Sequence, residues 1–160
     1  MLIALVSDSH GALTRLETLL TTLQDNGVPY LIHAGDFAVY GIVEVLKKFP
    51  EINILLALGN CDVNEEILTA LKQLPNVQLK EVHKHKIDEI KIAVAHFEKN
   101  ARTIKNADIF IFGHTHIPKI VRQNTKLFLN PGSLQDDGGY FLLDTKTKQI
   151  TRKLFTEKLL

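Results

Sequence analysis

The chain has 160 residues, of which 45% are hydrophobic and 23% charged, a composition typical of a globular protein and unlike that of a disordered or fibrous one. Nineteen basic and 18 acidic residues leave a formal net charge of +1, so we expect no long nucleic acid as a partner. The single cysteine excludes an internal disulfide, and no apolar run is long enough to cross a bilayer, so we expect a cytoplasmic protein without a membrane segment.

The first half of the chain alternates short apolar runs with segments of helical periodicity. The sequence predicts strands at 2–7, 30–35 and 53–59, and helices at 12–27, 41–49 and 64–74. Strands that are apolar along their whole length are expected where both faces of a sheet are covered. This half therefore predicts parallel βαβ units.

Strands dominate the second half. Residues 77–97 predict an antiparallel pair that reverses near 86–89, and a short helix is predicted at 99–106. Further strands, mostly antiparallel, are predicted at 108–113, 117–124, 126–130, 139–145 and 149–155. We expect an α/β fold in one domain spanning 1–160, built as a four-layer α/β/β/α sandwich in which two mixed sheets pack face to face between helices.

Five of the apolar strands end in side chains that can bind a metal ion. Each residue taken singly has an ordinary interpretation as a turn residue, a helix cap or a packed histidine. The recurrence at five equivalent strand ends favours a shared site, because ligands gather at the carboxyl ends of strands in open α/β sheets. The set is Asp8, His10, Asp36, Asn60, His96, His114 and His116.

The donor types in this set indicate catalytic metal ions. Carboxylates, imidazoles and an amide are present without a thiolate, which argues against a structural zinc site. Seven ligands with one shared carboxylate complete the shells of two ions and leave open positions. Two ions about 4 Å apart lower the pKa of a bridging water and clamp a phosphate oxygen.

The order of the motifs DSH, GD, GN, AH and GHTH resembles that of the calcineurin-like metallophosphoesterases, closest to their small single-domain bacterial and archaeal phosphodiesterase branch. The resemblance covers nearly the whole chain. It implies that Asp8, His10, Asp36 and His116 hold one ion, and that Asp36, Asn60, His96 and His114 hold the other. It also implies that a bridging hydroxide attacks the phosphate ester while Asn60 helps to stabilise the developing charge.

The resemblance also sets expectations about cofactors and partners. It implies two divalent ions per chain, with manganese first and iron, zinc, nickel or cobalt as alternatives that suit the same ligands. We expect a small phosphate-ester substrate, and relatives suggest a homodimer. Because few residues remain for a cap, specificity is expected to come from the short loops 37–41, 61–65 and 97–102.

Four residues near the motifs, Cys61, Asp62, Phe97 and Glu98, are candidates to lie beside the substrate. Many family members carry a histidine at position 61 that can protonate the leaving group, and a thiol replaces it poorly. We therefore expect slow turnover or good leaving groups, and we expect Cys61 to be a small buried packing residue. Relatives often have His-Gly-His from position 96, so Phe97 is expected to narrow the mouth of the site. Glu98 either adds negative charge there or is a solvated residue in the first turn of a helix.

An alternative to catalysis is a non-catalytic interaction scaffold. The scaffold subunit of retromer is similar in fold to these phosphoesterases and serves mainly as a binding surface. The two hypotheses differ in whether the ligand set is intact. Every expected ligand is present in this sequence, which favours an enzyme.

Overall fold

The computed structural model describes residues 1–37, 39–157 and 159. Within them the elements in chain order are β1 (Leu2–Val6), α1 (Leu13–Asp25), β2 (Tyr30–His33), α2 (Gly41–Lys47), β3 (Asn53–Ala57), α3 (Glu65–Lys72), β4 (Val77–Lys80), β5 (Val82–Ile87), β6 (Ile90–Ala95), α4 (Glu98–Ala101), β7 (Ile109–Ile111), β8 (Lys119–Gln123), β9 (Lys126–Asn130), β10 (Gly139–Asp144) and β11 (Ile150–Leu154). No helix in this part of the chain has the length and hydropathy needed to cross a membrane.

The strands form two mixed sheets. The first has the order β11-β10-β1-β2-β3-β4, with β1 to β4 parallel and β10 antiparallel to both β1 and β11. The second has the order β5-β6-β7-β9-β8, with a parallel centre between antiparallel edge pairs. The predicted α/β sandwich of two mixed sheets with flanking helices is confirmed.

Alternating side chains of the first sheet enter two different cores. Ala4 and Leu31 pack under the helices with Leu16, Leu19, Leu20 and Leu23 of α1, which recur at helical spacing along one face. Ile3 and Leu5 point the other way and pack between the sheets. The outer face of the second sheet buries Phe110 and Phe128 with Ala101 of α4. Both faces of each central strand are thus covered, which explains the unbroken apolar runs.

The prediction of one antiparallel pair over 77–97 was wrong at its start. Val77–Lys80 forms β4, which runs parallel to β3 in the first sheet, and only β5 and β6 form the antiparallel pair in the second. Val77 belongs to the first sheet because its side chain packs in the core between that sheet and the helices. The helix predicted at 99–106 is shorter and begins earlier, at Glu98–Ala101.

Candidate metal centre

The predicted ligands follow strands of both sheets, and their loops are tied together through the backbone. The Asp8 N–H donates to Gly35 O at 3.0 Å, and the His10 N–H donates to Asp36 O at 3.0 Å. Within the second sheet, the Gly113 N–H donates to His96 O at 3.0 Å. Between the sheets, the His114 N–H donates to Asp8 Oδ2 at 3.0 Å. The carboxyl ends of β1, β2, β6 and β7 therefore meet at one edge of the sandwich, as predicted.

Asp8, His10 and His116 form the first group of closely spaced donor atoms. The Nε2 atoms of the two histidines lie 3.2 Å apart, and His116 Nε2 lies 3.2 Å from Asp8 Oδ1. Two atoms bound tetrahedrally to one ion at 2.1 Å are about 3.4 Å apart. The spacing in this group therefore suits a shared metal ion.

A second group of closely spaced donor atoms consists of Asp8, Asp36 and His96. Asp36 also lies close to His10 of the first group. Its Oδ2 lies 3.7 Å from His10 Nε2 and 3.4 Å from His96 Nε2. Asn60 Oδ1 lies 3.2 Å from the same nitrogen of His96. The carboxylate of Asp36 thus stands between donor atoms of both groups, which is the place of a bridging ligand.

The surroundings of these side chains fit a metal site. Asp8 Oδ1 is buried and receives no hydrogen bond from the described residues, which is costly for a carboxylate oxygen unless a cation compensates it. In His96 and His116 the second ring nitrogen, Nδ1, lies within hydrogen-bonding distance of an oxygen. His96 Nδ1 lies 2.8 Å from Ala34 O, and His116 Nδ1 lies 2.8 Å from Asp136 Oδ2. Such contacts hold the ring and leave Nε2 free to bind a metal.

The backbone at the ligands is unusual. Asp8, His10, Asp36, His114 and His116 all have positive φ, between 37° and 69°. This left-handed region is uncommon for residues other than glycine and is concentrated at functional sites. It turns each side chain sharply off the end of its strand.

The glycines that precede two of the ligands leave room for carboxylates. A Cβ at Gly59 would lie 2.5 Å from the Asp36 backbone nitrogen, and one at Gly113 would lie 2.6 Å from Asp8 Oδ2. Real Cβ contacts are not this short, so larger residues would displace Asp36 or Asp8. The repeated Gly-ligand pattern thus has a steric cause.

His114 lies beside the site but joins none of the groups of closely spaced donor atoms found among the described residues. Its ring centroid is 5.2 Å from that of His96 and 4.5 Å from that of Phe97. Its backbone N–H donates to Asp8 Oδ2 at 3.0 Å. The role of its side chain as a metal ligand stays a prediction.

The expectation that Cys61 is buried was wrong, because the residue is exposed. Its backbone N–H donates to Asp36 Oδ1 at 2.9 Å. The pKa of the thiol is raised, first by desolvation and then by its contact with Asp36. Cys61 also forms a third group of donor atoms with His10 and Asp36, so a sulfur does lie within reach of the site.

Asp62 supports the loops. Its buried carboxylate accepts hydrogen bonds from the backbone N–H groups of Asp36 at 2.8 Å, Phe37 at 3.0 Å and Gly59 at 2.8 Å. It thereby joins the loop after β2 to the loop after β3. This positioning role was missed by sequence reasoning, since a GNCD string does not show which backbone groups its aspartate reaches.

Phe97 and Glu98 follow His96 at the start of α4. Phe97 is half-buried, with its ring 5.1 Å from the His96 ring. Glu98 contacts Arg102 Nε at 2.9 Å and Lys119 Nζ at 3.0 Å. Partial burial opposes ionisation of Glu98, but these two cations outweigh it and lower its pKa. Its charge is shared with two surface cations, which favours its interpretation as a first-turn helix residue.

Two buried histidines lie outside the ligand set. His33 Nε2 lies 2.9 Å from Ser9 Oγ, and burial together with the neighbouring His96 lowers the pKa of His33 to about 3. His83 Nε2 lies 2.7 Å from Leu56 O, and its pKa is lowered by burial. Like the role of Asp62, that of Asp136 as the partner of His116 was not predicted from the sequence. No local pattern marks Asp136, which lies 20 residues from that histidine.

Comparison with known protein sequences identifies the family of this chain. A family model described as the calcineurin-like phosphoesterase superfamily domain matches residues 1–148. A phosphodiesterase of Methanocaldococcus jannaschii is 27% identical over 93% of this chain and 96% of its own. The phosphodiesterase YfcE of Escherichia coli is 24% identical over 94% of this chain and 91% of its own.

Solved structures include proteins with the same fold. An archaeal phosphodiesterase superposes with a TM-score of 0.81 and 27% identity, covering 96% of this chain and 99% of its own. Vacuolar protein sorting 29 of Cryptosporidium parvum has a TM-score of 0.66 at 21% identity over 95% of this chain and 96% of its own, which shows a shared fold. The family match and the phosphodiesterase relatives confirm the prediction of a phosphoric ester hydrolase. The chain belongs to the calcineurin-like phosphoesterase superfamily.

Proposed function

We propose that the chain is a phosphodiesterase that holds two divalent metal ions and hydrolyses small phosphate esters. The observation that carries the proposal is the position of Asp36, whose Oδ2 lies 3.7 Å from His10 Nε2 and 3.4 Å from His96 Nε2. One carboxylate placed between two donor groups suits a pair of ions. The buried Asp8 Oδ1, which accepts no hydrogen bond from the described residues, supports the same conclusion.

Asp8, His10, Asp36 and His116 would hold one ion, and Asp36, Asn60, His96 and His114 the other, with manganese as the first metal to test. When bound, such ions supply Lewis acidity toward a phosphate oxygen and lower the pKa of water.

The chain's own residues orient the reaction. Ala34 O fixes the His96 ring, Asp136 fixes the His116 ring, and Asp62 holds the Asp36 backbone. Cys61, with its raised pKa, offers no imidazolium to protonate a leaving group, so esters of acidic alcohols are favoured.

The scaffold hypothesis has a basis in the shared fold of vacuolar protein sorting 29. The donor set of this chain favours catalysis over it. A surface that only binds protein has no need of a buried carboxylate oxygen without a hydrogen bond. Nor does it need two histidine rings that are each fixed through their second nitrogen.

Chelator-treated protein, with and without added Mn²⁺, tests the proposal on bis-p-nitrophenyl phosphate and p-nitrophenyl phosphate. We expect Mn²⁺-dependent cleavage of the diester, and a loss of at least about 100-fold in Asp36→Asn. Asp25→Asn, an exposed carboxylate at the end of α1, is the matched control and should retain full activity. Folded wild-type protein that cleaves neither ester with Mn²⁺, Zn²⁺, Fe²⁺, Co²⁺ or Ni²⁺ would contradict the proposal and favour the scaffold.

A further inference from the structure

Three strongly exposed apolar side chains stand on the loops that carry predicted metal ligands. Val63 is 76% exposed, Ile117 68% and Tyr40 58%. The next most exposed large hydrophobic residue in the described part of the chain is Ile120, at 46%. Single exposed apolar residues are ordinary, but the concentration of the three most exposed ones on the loops of one site is not.

Each of these residues is close in sequence to a ligand. Tyr40 is four residues after Asp36, and Val63 is three residues after Asn60. Consecutive Cα atoms are 3.8 Å apart, so these spans are at most about 15 Å and 11 Å. Ile117 directly follows a ligand, His116. The half-buried Phe97 directly follows another, His96, and its ring packs against His114. We call Tyr40, Val63, Phe97 and Ile117 the apolar rim.

The position of the apolar rim limits what can cover it. Its four residues come from four loops, after β2, β3, β6 and β7, and these loops converge on the donor atoms. A molecule held at the donor atoms therefore lies near the start of all four loops. For a phosphoesterase the simplest such molecule is the substrate itself, with its phosphate at the metal ligands and an esterified group against the rim.

We propose that the apolar rim binds an apolar ester group of the substrate, so that the preferred substrates are phosphodiesters carrying at least one aryl or similarly apolar group. This inference rests on the proposed function. Phe97 offers an aromatic contact beside the reacting phosphate, and Val63 and Ile117 offer aliphatic surface that such a group would remove from water.

Two diesters with the same leaving group test the inference. Phenyl p-nitrophenyl phosphate and methyl p-nitrophenyl phosphate both release p-nitrophenolate and differ only in the group that stays on phosphorus. The ratio of their kcat/KM values is measured for the Mn²⁺-loaded wild type, Val63→Ser, Ile117→Ser and the double variant. Intrinsic reactivity cancels when this ratio is compared between proteins. Val121→Ser, an exposed valine further along β8, is the matched control.

We expect the wild type to prefer the phenyl ester by about tenfold or more, each rim variant to lower that preference about threefold, and the control to keep it. A readout without turnover is the dissociation constant of phenylphosphonate relative to methylphosphonate, measured by calorimetry, which should change in parallel. If the wild type cleaves both diesters but the rim variants behave like Val121→Ser, the inference is wrong and the proposed function stands. If the folded wild type cleaves no ester, both are wrong.

Discussion

Replacing Asp62 by asparagine should destabilise the whole fold. In the wild type, Oδ2 accepts the N–H groups of Asp36 and Gly59, and Oδ1 accepts that of Phe37. An asparagine side chain has one oxygen, so its NH₂ group must face at least one of these buried N–H donors. Leaving one such donor unpaired costs about 1–3 kcal/mol, and losing the carboxylate charge weakens the other two bonds. We expect a loss of about 2–4 kcal/mol in the free energy of unfolding.

Urea denaturation of the metal-free protein measures this loss. With a slope of about 2 kcal/mol per molar urea, the midpoint of Asp62→Asn should fall by about 1–2 M without a change in slope. Asp25→Asn, exposed at the end of α1, should shift the midpoint by less than about 0.3 M. A midpoint for Asp62→Asn equal to that of Asp25→Asn, together with a large loss of turnover, would refute the positioning role. It would instead place the carboxylate in contact with substrate.

Three further substitutions follow from the structure. Gly113→Ala puts a Cβ within 2.6 Å of Asp8 Oδ2, so it should lower both the melting temperature and the affinity for Mn²⁺. The control is Gly27→Ala, whose Cβ meets nothing within 4 Å. It should lower the free energy of unfolding by only about 1 kcal/mol, the cost of a left-handed backbone at alanine. The folded pKa of His33, about 3, lies below its unfolded value of 6.5, so its contribution to stability is present above pH 6.5 and is lost as the pH falls. His33→Gln should therefore reduce the slope of unfolding free energy against pH between pH 6.5 and 4 by about 1.4 kcal/mol per unit, and an unchanged slope would contradict the assignment. Tyr140 has a buried hydroxyl that contacts no hydrogen-bonding partner among the described residues, so Tyr140→Phe should leave the urea midpoint unchanged or raise it.

A candidate ligand set could be predicted from the sequence because the signal is local. Asp36 and Asn60 come three residues after β2 and β3, and His96 directly follows β6. Parallel strands in a covered sheet bring their carboxyl ends together. The layered fold was predictable for a similar reason, since the strands are apolar on both faces and alternate with helices of clear periodicity.

The wrong predictions concern features that depend on tertiary contacts and not on the local sequence. Whether Val77–Lys80 joins the first or the second sheet depends on which core takes Val77, and the apolar pattern is the same in both cases. The sequence also does not show that His83 of β5 is buried, with its Nε2 2.7 Å from Leu56 O of β3 in the other sheet. The exposure of Cys61 was likewise not predicted, because a GNCD string does not fix how its loop is placed.

The left-handed backbone at five predicted ligands has an evolutionary consequence. Asp8, His10, Asp36, His114 and His116 each accept a conformation that costs about 1 kcal/mol relative to glycine. At these positions, substitutions that remove a metal ligand in favour of glycine would relieve that strain. A lineage released from catalysis would therefore drift away from the five side chains and keep the sandwich. Their joint presence in this chain is what the proposed catalytic function requires.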